Sequence, residues 1–329
     1  MASHQTGLAL VEIMIAMLIG LFLVGGMMQV FNSSRLTYRV HEATARMQET
    51  GRTALEVLSR DIRMAGFWGC ASEPDTIVNN LDPAGNGFVD FDAGDIVGVD
   101  GGADQPDSLT VRGGGSTGLA VRPPYGPQAS ATLHTEKGNE LEFGDVVFVS
   151  DCESADIFQI SNANPGTSGL LVHNTGNATE PGNYNASNPG CPGNNAHCLS
   201  KVYGADATVF SAQEINYRVE AGFSGSPMLF RNGEEFLNGV EDLQVLYGED
   251  TDVPGTAGFG VANYYVPANQ VTDMGQVISV RFAVVVRSDE DNLTGGVRQN
   301  YTVLGTTRIA PDNRLRQVYT TTVTLRNRL

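Results

Sequence analysis

The sequence predicts an α+β chain. One long amino-terminal helix, membrane-spanning in its first half and amphipathic in its second, packs on an antiparallel β-sheet body with long loops. Three observations carry this. Leu8 to Phe31 holds a single charge, Glu12, in 24 residues. Small and apolar residues then recur three or four positions apart as far as Ala65. Beyond Cys70, short β-branched runs alternate with stretches crowded with Gly, Asn, Asp, Pro and Ser.

The first stretch is long enough to span, because a bilayer core needs about 20 apolar residues of helix. The preceding MASHQTG is too short for the charged region of an ordinary secretory signal, and no A-x-A-like site follows the apolar run, so the span is expected to be retained. An ionised acid there costs about 2.5–3.5 kcal/mol at the bilayer centre on insertion scales and less toward the interface, so it marks a function with a partner. The bland alternative is an acid at headgroup level. The stripe continues through Leu36, Val40, Ala43, Met47, Gly51, Ala54, Leu58, Ile62 and Ala65, with Arg and Glu between them, as an amphipathic helix requires. No proline precedes Pro74, so Leu8 to Ala65 reads as one helix of roughly 85 Å at about 1.5 Å per residue. Gly20 and Gly25-Gly26 are its weak points, and Gly66 in AGFWGC is its expected C-cap.

The body follows from runs bounded by turn residues: SLTV, DVVFVSD, DIFQIS, GLLVHN, TVFSAQEINYRVE, MLFR, VISVRFAVVVR and VYTTTVTLR. In FLNGVEDLQVLYGED, Val240, Leu243 and Leu246 are helically spaced, but LQVLY suits a strand, and strand is the reading adopted. Lys+Arg 20 against Asp+Glu 37 gives a net charge of −17. The acidity lies between Glu73 and Asp291, which argues against a body-wide nucleic-acid surface. Arg308 to Arg328 holds five arginines against Asp312 alone. Two readings of that end stay open: an edge strand shielded by positive charge, or a contact with the acidic body of a neighbouring subunit.

No catalytic site is visible, and neither a cofactor nor a metal is predicted. CPGNNAHC offers His197 beside Cys198, but no second ligand pair has finger spacing. Asp250 and Asp252 begin like a calcium loop that lacks its acid at position twelve. Gly113 to Gly115 lack the Lys-Ser/Thr of a phosphate loop and read as a flexible turn. The five histidines are scattered, and no Ser or Cys sits in a nucleophile motif.

The opening, a short polar leader ending in Gly7, then an apolar residue, then Glu12 at the fifth position after the glycine, resembles the signal of type IV prepilins and type II secretion pseudopilins. The resemblance implies a pilin-like fold and a cut between Gly7 and Leu8 by a membrane-embedded aspartyl prepilin peptidase. Leu8 then becomes the N-methylated first residue, and Glu12 pairs with the terminal amine of a neighbouring subunit. Leu8 stands where the family usually has Phe, and the leader has His4 in place of Lys or Arg. Within the class, SRLTYRVHEATARMQETGRTALEVLSRDIRMAGFWGC, VVFVSDCESADIFQIS, GVEDLQVLYGEDTD and DNRLRQVYTTTVTLRNRL resemble the PilW family of minor pilins.

The domains are then expected as 1–7 leader, 8–31 membrane and assembly half of the helix, 32–66 amphipathic half, and 67–329 periplasmic β-rich body. The resemblance also implies partners: other minor and major pilins through the helix, the inner-membrane assembly platform and a large tip adhesin. The subunit would be held in the inner membrane, body in the periplasm, before joining a surface pilus. Four cysteines exported to an oxidising compartment are expected to pair. Three connectivities are open. Cys191–Cys198 is preferred because the two are close in sequence, and Cys70–Cys152 because it ties elements that the resemblance brings together. The alternatives are a type II secretion pseudopilin and, in a different class, a signal-anchored periplasmic enzyme or binding protein.

Overall fold

The computed structural model describes residues 10–70, 76–102, 104–115, 118–126, 131–175, 180–184 and 199–328. Its first element is helix α1, Leu10–Arg63, 54 residues without a break, about 80 Å at 1.5 Å per residue. The last turn tightens, the N–H groups of Met64 and Ala65 bonding to the carbonyls of Asp61 and Ile62. Gly66 then turns the chain at φ +69°, and its N–H donates to the carbonyl of Arg112. A Cβ at this position would lie 2.8 Å from the Asp95 carboxylate, so only glycine satisfies both the left-handed backbone and the close approach.

Seventeen strands follow among the described residues. They are β1 (Ile77–Asn79), β2 (Ile96–Val99), β3 (Ser108–Gly114), β4 (Leu119–Ala120), β5 (Thr132–His134), β6 (Val146–Ser150), β7 (Ala155–Gln159), β8 (Leu170–Val172) and β9 (Thr208–Ala221). After them come β10 (Pro227–Arg231), β11 (Glu234–Asn238), β12 (Val240–Glu249), β13 (Tyr264–Val266), β14 (Val277–Arg287), β15 (Asn300–Val303), β16 (Thr306–Ile309) and β17 (Arg316–Thr324). Every run read from the sequence as a strand lies in one of these, FLNGVEDLQVLYGED forming β11 and β12. The strands not read from the sequence, β1, β2, β4, β5, β13, β15 and β16, are only two to four residues long, too short for a run or an alternation to stand out among the turn residues.

β9 organises the larger, nine-stranded sheet. Its start, Thr208–Ser211, pairs with β6, Ala212–Tyr217 with β3, and Tyr217–Ala221 with β10. The sheet is antiparallel except where β1 joins β7 in parallel. The second sheet runs β13-β12-β14-β17, and two small pairs, β15-β16 and β5-β8, complete the body.

Helix α1 packs chiefly on β17 and β14. Ala54, Leu58 and Ile62 are fully buried against Val280, Phe282, Val284 and Val323, with Ile96, Leu109, Tyr217 and Leu229 completing the cluster. Burying a Leu or Ile side chain contributes about 1.5–3 kcal/mol, so these three turns hold the helix more firmly than its propensity does. The stripe is covered progressively: Leu36 is exposed, Val40 and Ala43 half-buried, and every stripe residue from Met47 onward buried.

Two expectations are corrected. Gly113 and Gly114 are not a flexible turn but the end of β3, pressed against the helix terminus. A Cβ on Gly113 would come within 2.6 Å of the Met64 carbonyl oxygen, and one on Gly114 within 2.6 Å of the Phe148 ring. Four of the five carboxy-terminal arginines pair with the chain's own acids instead of shielding the edge strand, and the fifth, Arg326, is exposed beyond its end. Arg316 is 0% exposed in its side chain and bidentate to Glu241 at 2.6 and 2.8 Å, with Asp312 at 2.6 Å. Arg308 pairs with Asp242, Arg314 with Asp312 and Arg328 with Asp95. The sequence held only one acid beside them because their partners lie in β12 and the β1–β2 loop.

Candidate assembly site

From Leu10 to Phe31 the helix is apolar on every side and leaves the body behind. Leu10, Leu21, Phe22 and Met27 are each more than 70% exposed, and the stretch most able to cross a membrane has none of its residues buried. A helix that is hydrophobic all round must be covered by lipid or by other helices, since water solvates neither Phe22 nor its neighbours favourably. Glu12 is exposed in the first turn of α1, where the positive end of the helix dipole favours an anion. Gly7 and Leu8 lie outside the described residues, so the junction that would release an amino terminus near Glu12 is not described.

The second half of the helix is the grip. Gly51 receives the Tyr319 ring of β17, whose carbons would sit 2.3–2.4 Å from a Cβ there. One helical step beyond the stripe, buried Asp61 accepts from Tyr217 Oη at 2.5 Å and from Arg231 Nη2 at 2.9 Å and Nε at 3.2 Å. This bond set pins α1 to β9 and β10. Burial first, then the hydrogen bond and charge of Asp61, push the Tyr217 phenol well above its ordinary range, so it stays a donor. Reading the sequence missed Asp61. Its only signal is an acid among Leu58, Ile62 and Ala65, a position where an unpaired charge would be costly.

A second clamp holds the helix end. Trp68 Nε1 donates to Asp95 at 3.0 Å, Arg328 Nη2 reaches the same carboxylate at 3.1 Å, and Asn327 Nδ2 donates to the Ala65 carbonyl at 2.9 Å. The Trp68 ring is edge-on to Phe91 and Phe148, centroids 5.4 and 5.2 Å away. Two residues on, Cys70 is disulfide-bonded to Cys152, with Cα atoms 4.2 Å apart. Cys152 sits at φ +69° in the β6–β7 turn. That turn is fixed by Asp151, which accepts from the N–H groups of Glu153 and Ser154 and pairs with Lys201 at 2.7 Å. Burial raises the Asp151 pKa, but Lys201 and these N–H groups outweigh it and leave the carboxyl below its ordinary value. Asp156, fully buried next door, accepts from Tyr203 at 2.6 Å and Asn80 at 2.9 Å. Cys191, Cys198 and His197 lie outside the described residues.

Where the exposed and gripped halves meet, a groove of about 260 Å³ opens between α1 and the end of β14, lined by Arg39, Ala43, Met47, Val286 and Glu290. Arg39 crosses it to Glu290 at 2.6 Å, both half-exposed, a pair worth at most about 1 kcal/mol. Asp250 and Asp252 serve their own loop: Asp250 accepts from the Gly260 N–H at 2.6 Å and Asp252 from Asn263 Nδ2 at 3.0 Å. Among the described residues no group of three or more His, Cys, Asp or Glu is placed to hold a metal.

These features define a class: an α+β protein whose amino-terminal helix projects from a β-rich body and is long and apolar enough to enter a membrane. Within it, residues 216–327, about a third of the chain, match the family model described as Type IV Pilus-assembly protein W. The matched segment runs from β9 through the clamp residue Asn327 and contains the whole sheet on which α1 lies. The match supports the resemblance to the PilW family and a part in type IV pilus assembly. No curated protein and no solved structure matches the chain.

Proposed function

We propose that this chain is a minor pilin of the type IV pilus, incorporated at or near the tip and helping to prime filament assembly, with twitching motility or adhesion downstream. The carrying observation is the uncovered apolar half of α1 with its lone acid in the first turn, held on a body whose helix-bearing sheet matches a pilus-assembly family. Before assembly the helix anchors the chain in the inner membrane, body outward. After the prepilin peptidase cuts behind Gly7, the new amine of Leu8 and a neighbour's Glu12 neutralise one another. Two opposite charges desolvated together attract far more strongly than in water, whereas either alone in lipid is costly. Leaving the bilayer exchanges lipid contacts for helix packing. Partners are other pilins through the helix, the inner-membrane platform and a tip adhesin. No enzymatic step is assigned to the chain.

Mass spectrometry of the mature amino terminus tests this: N-methyl-Leu8 is expected, and an uncut Met1 or a cut elsewhere overturns it. Normal entry of Glu12→Ala subunits into filaments would remove the charge-pairing step while leaving the assignment standing.

A further inference from the structure

The last strand, β17, ends the four-stranded sheet, one side paired to β14 and the other without a strand partner among the described residues. Antiparallel pairing alternates residues that bond inward with residues whose N–H and C=O point away. Both ends of this ladder fix the phase: Leu325 N–H donates to the Ile278 carbonyl and Ser288 N–H to the Leu315 carbonyl, each at 2.8 Å. Odd-numbered residues therefore hold β14. The backbone groups of Arg316, Val318, Thr320, Thr322 and Thr324 point outward.

At the first of these the chain supplies its own partner. The Gln299 side-chain amide accepts from the Arg316 N–H and donates to the Arg316 carbonyl, both at 2.8 Å, as a peptide group of one further strand would. Beyond it, among the described residues, no hydrogen bond reaches the outward groups of Val318, Thr320, Thr322 or Thr324. Natural edges are protected by charge, proline, bulges or cover. Here Gln317 to Leu325 carries neither charge nor proline, the register with β14 is unbroken, and Thr320, Thr322 and Thr324 are exposed. Arg308, Arg316 and Arg328 are turned onto the chain's own acids, and the exposed Arg326 lies past the end of the strand.

We infer that the outer edge of β17 is a strand-addition site for an extended segment of a different protein of the assembly, rich in Thr and Val and bearing no bulky charge opposite Thr320. A second copy of this chain does not fit. Gly51 faces Tyr319 and Ala65 bonds Asn327, so β17 runs along α1 in the same sense, and twofold antiparallel pairing of two edges points the two helices in opposite directions. That last step rests on the reading above, in which all helices enter one membrane from one side. Backbone hydrogen bonds supply the attachment. Cross-strand neighbours Val318, Thr320 and Thr322 on one face and Tyr319 and Thr321 on the other select β-branched side chains.

Residue-resolved hydrogen exchange of the full-length chain tests this, comparing the chain in detergent micelles with the same chain in cross-linked membrane assemblies from cells. The amides of Thr320, Thr322 and Thr324 are expected to be fast in micelles and at least about tenfold slower in the assemblies, while Tyr319, Thr321 and Val323 are slow in both. Thr320→Pro deletes only an outward N–H, so the β14 ladder survives. It is expected to abolish the protection of Thr322 and Thr324 and to lower recovery in assemblies several-fold. Should that variant lose the slow odd-numbered amides, Thr320→Lys, which leaves the backbone intact, is expected to give the same loss. Even-numbered amides that are equally fast in both states, or already slow in micelles, overturn the inference, as does normal recovery of the folded variant. A protected edge in a chain absent from sheared filaments would sink the filament reading alone. An unprotected edge in filaments would sink this one alone.

Discussion

Removing the Asp61 carboxylate probes the bond set that joins the helix to the body. In Asp61→Ala, the fully buried Tyr217 hydroxyl loses its acceptor, which costs about 1–3 kcal/mol for an unsatisfied buried donor. Arg231 loses its partner too. Breaking a buried pair costs about 3–5 kcal/mol, but the Arg231 side chain is 31% exposed and water recovers part of that, so the low end applies. The two losses overlap because Arg231 Nε still reaches Tyr217 Oη at 3.1 Å, which leaves a net loss of about 3 kcal/mol. At about 2–4 °C per kcal/mol for a body of this size, Tm falls by roughly 6–12 °C. The assay is thermal unfolding of the full chain in micelles followed by the fluorescence of Trp68, the chain's single tryptophan, which is buried at the helix end. Tyr217→Phe removes the hydroxyl alone and is expected to cost about 1 kcal/mol. The double variant should cost less than the sum, since the two groups touch. A loss below about 0.5 kcal/mol for Asp61→Ala, or strict additivity, refutes the role given to these groups.

Gly51→Ala should lower Tm although alanine is the better helix former: crowding Tyr319 costs about 1–3 kcal/mol against a propensity gain of about 1. A raised Tm defeats that reading. Reducing Cys70–Cys152, which closes a sequence separation of 82, is expected to destabilise by about 2–4 kcal/mol, measured by the same melts with and without reductant. Burial, with Asp100 and Asp242 adding, pushes the Asp107 carboxyl up to about 6 against the N–H groups of Gly101 and Val245. A folded-state pKa above the unfolded one means that the contribution of this group to stability is fully present below about pH 4 and is lost as pH rises through about 6. Asp107→Asn should flatten that part of the pH–Tm curve, and an unchanged slope counts against it.

Local pattern made the helix, its end at Gly66 and the main strands legible, because a stripe at 3.6 residues or a run of β-branched side chains is written in neighbouring positions. Glu12 stood out for the same reason, one acid in a row of apolar residues. The grip on the helix did not. Asp61 and Arg231 are 170 residues apart, Asp95 and Arg328 are 233, and Arg316 and Glu241 are 75, and nothing local says which arginine meets which acid. The sequence by itself determined that an oily rod would stand on a β-rich body. The fold alone placed Gly113 and Gly114, read as a flexible turn, in close contact with the helix end and Phe148, turned four of the five terminal arginines onto the chain's own acids, and left one side of β17 without a strand partner among the described residues. Each depends on which distant surfaces come within 3 Å, which packing settles and periodicity does not.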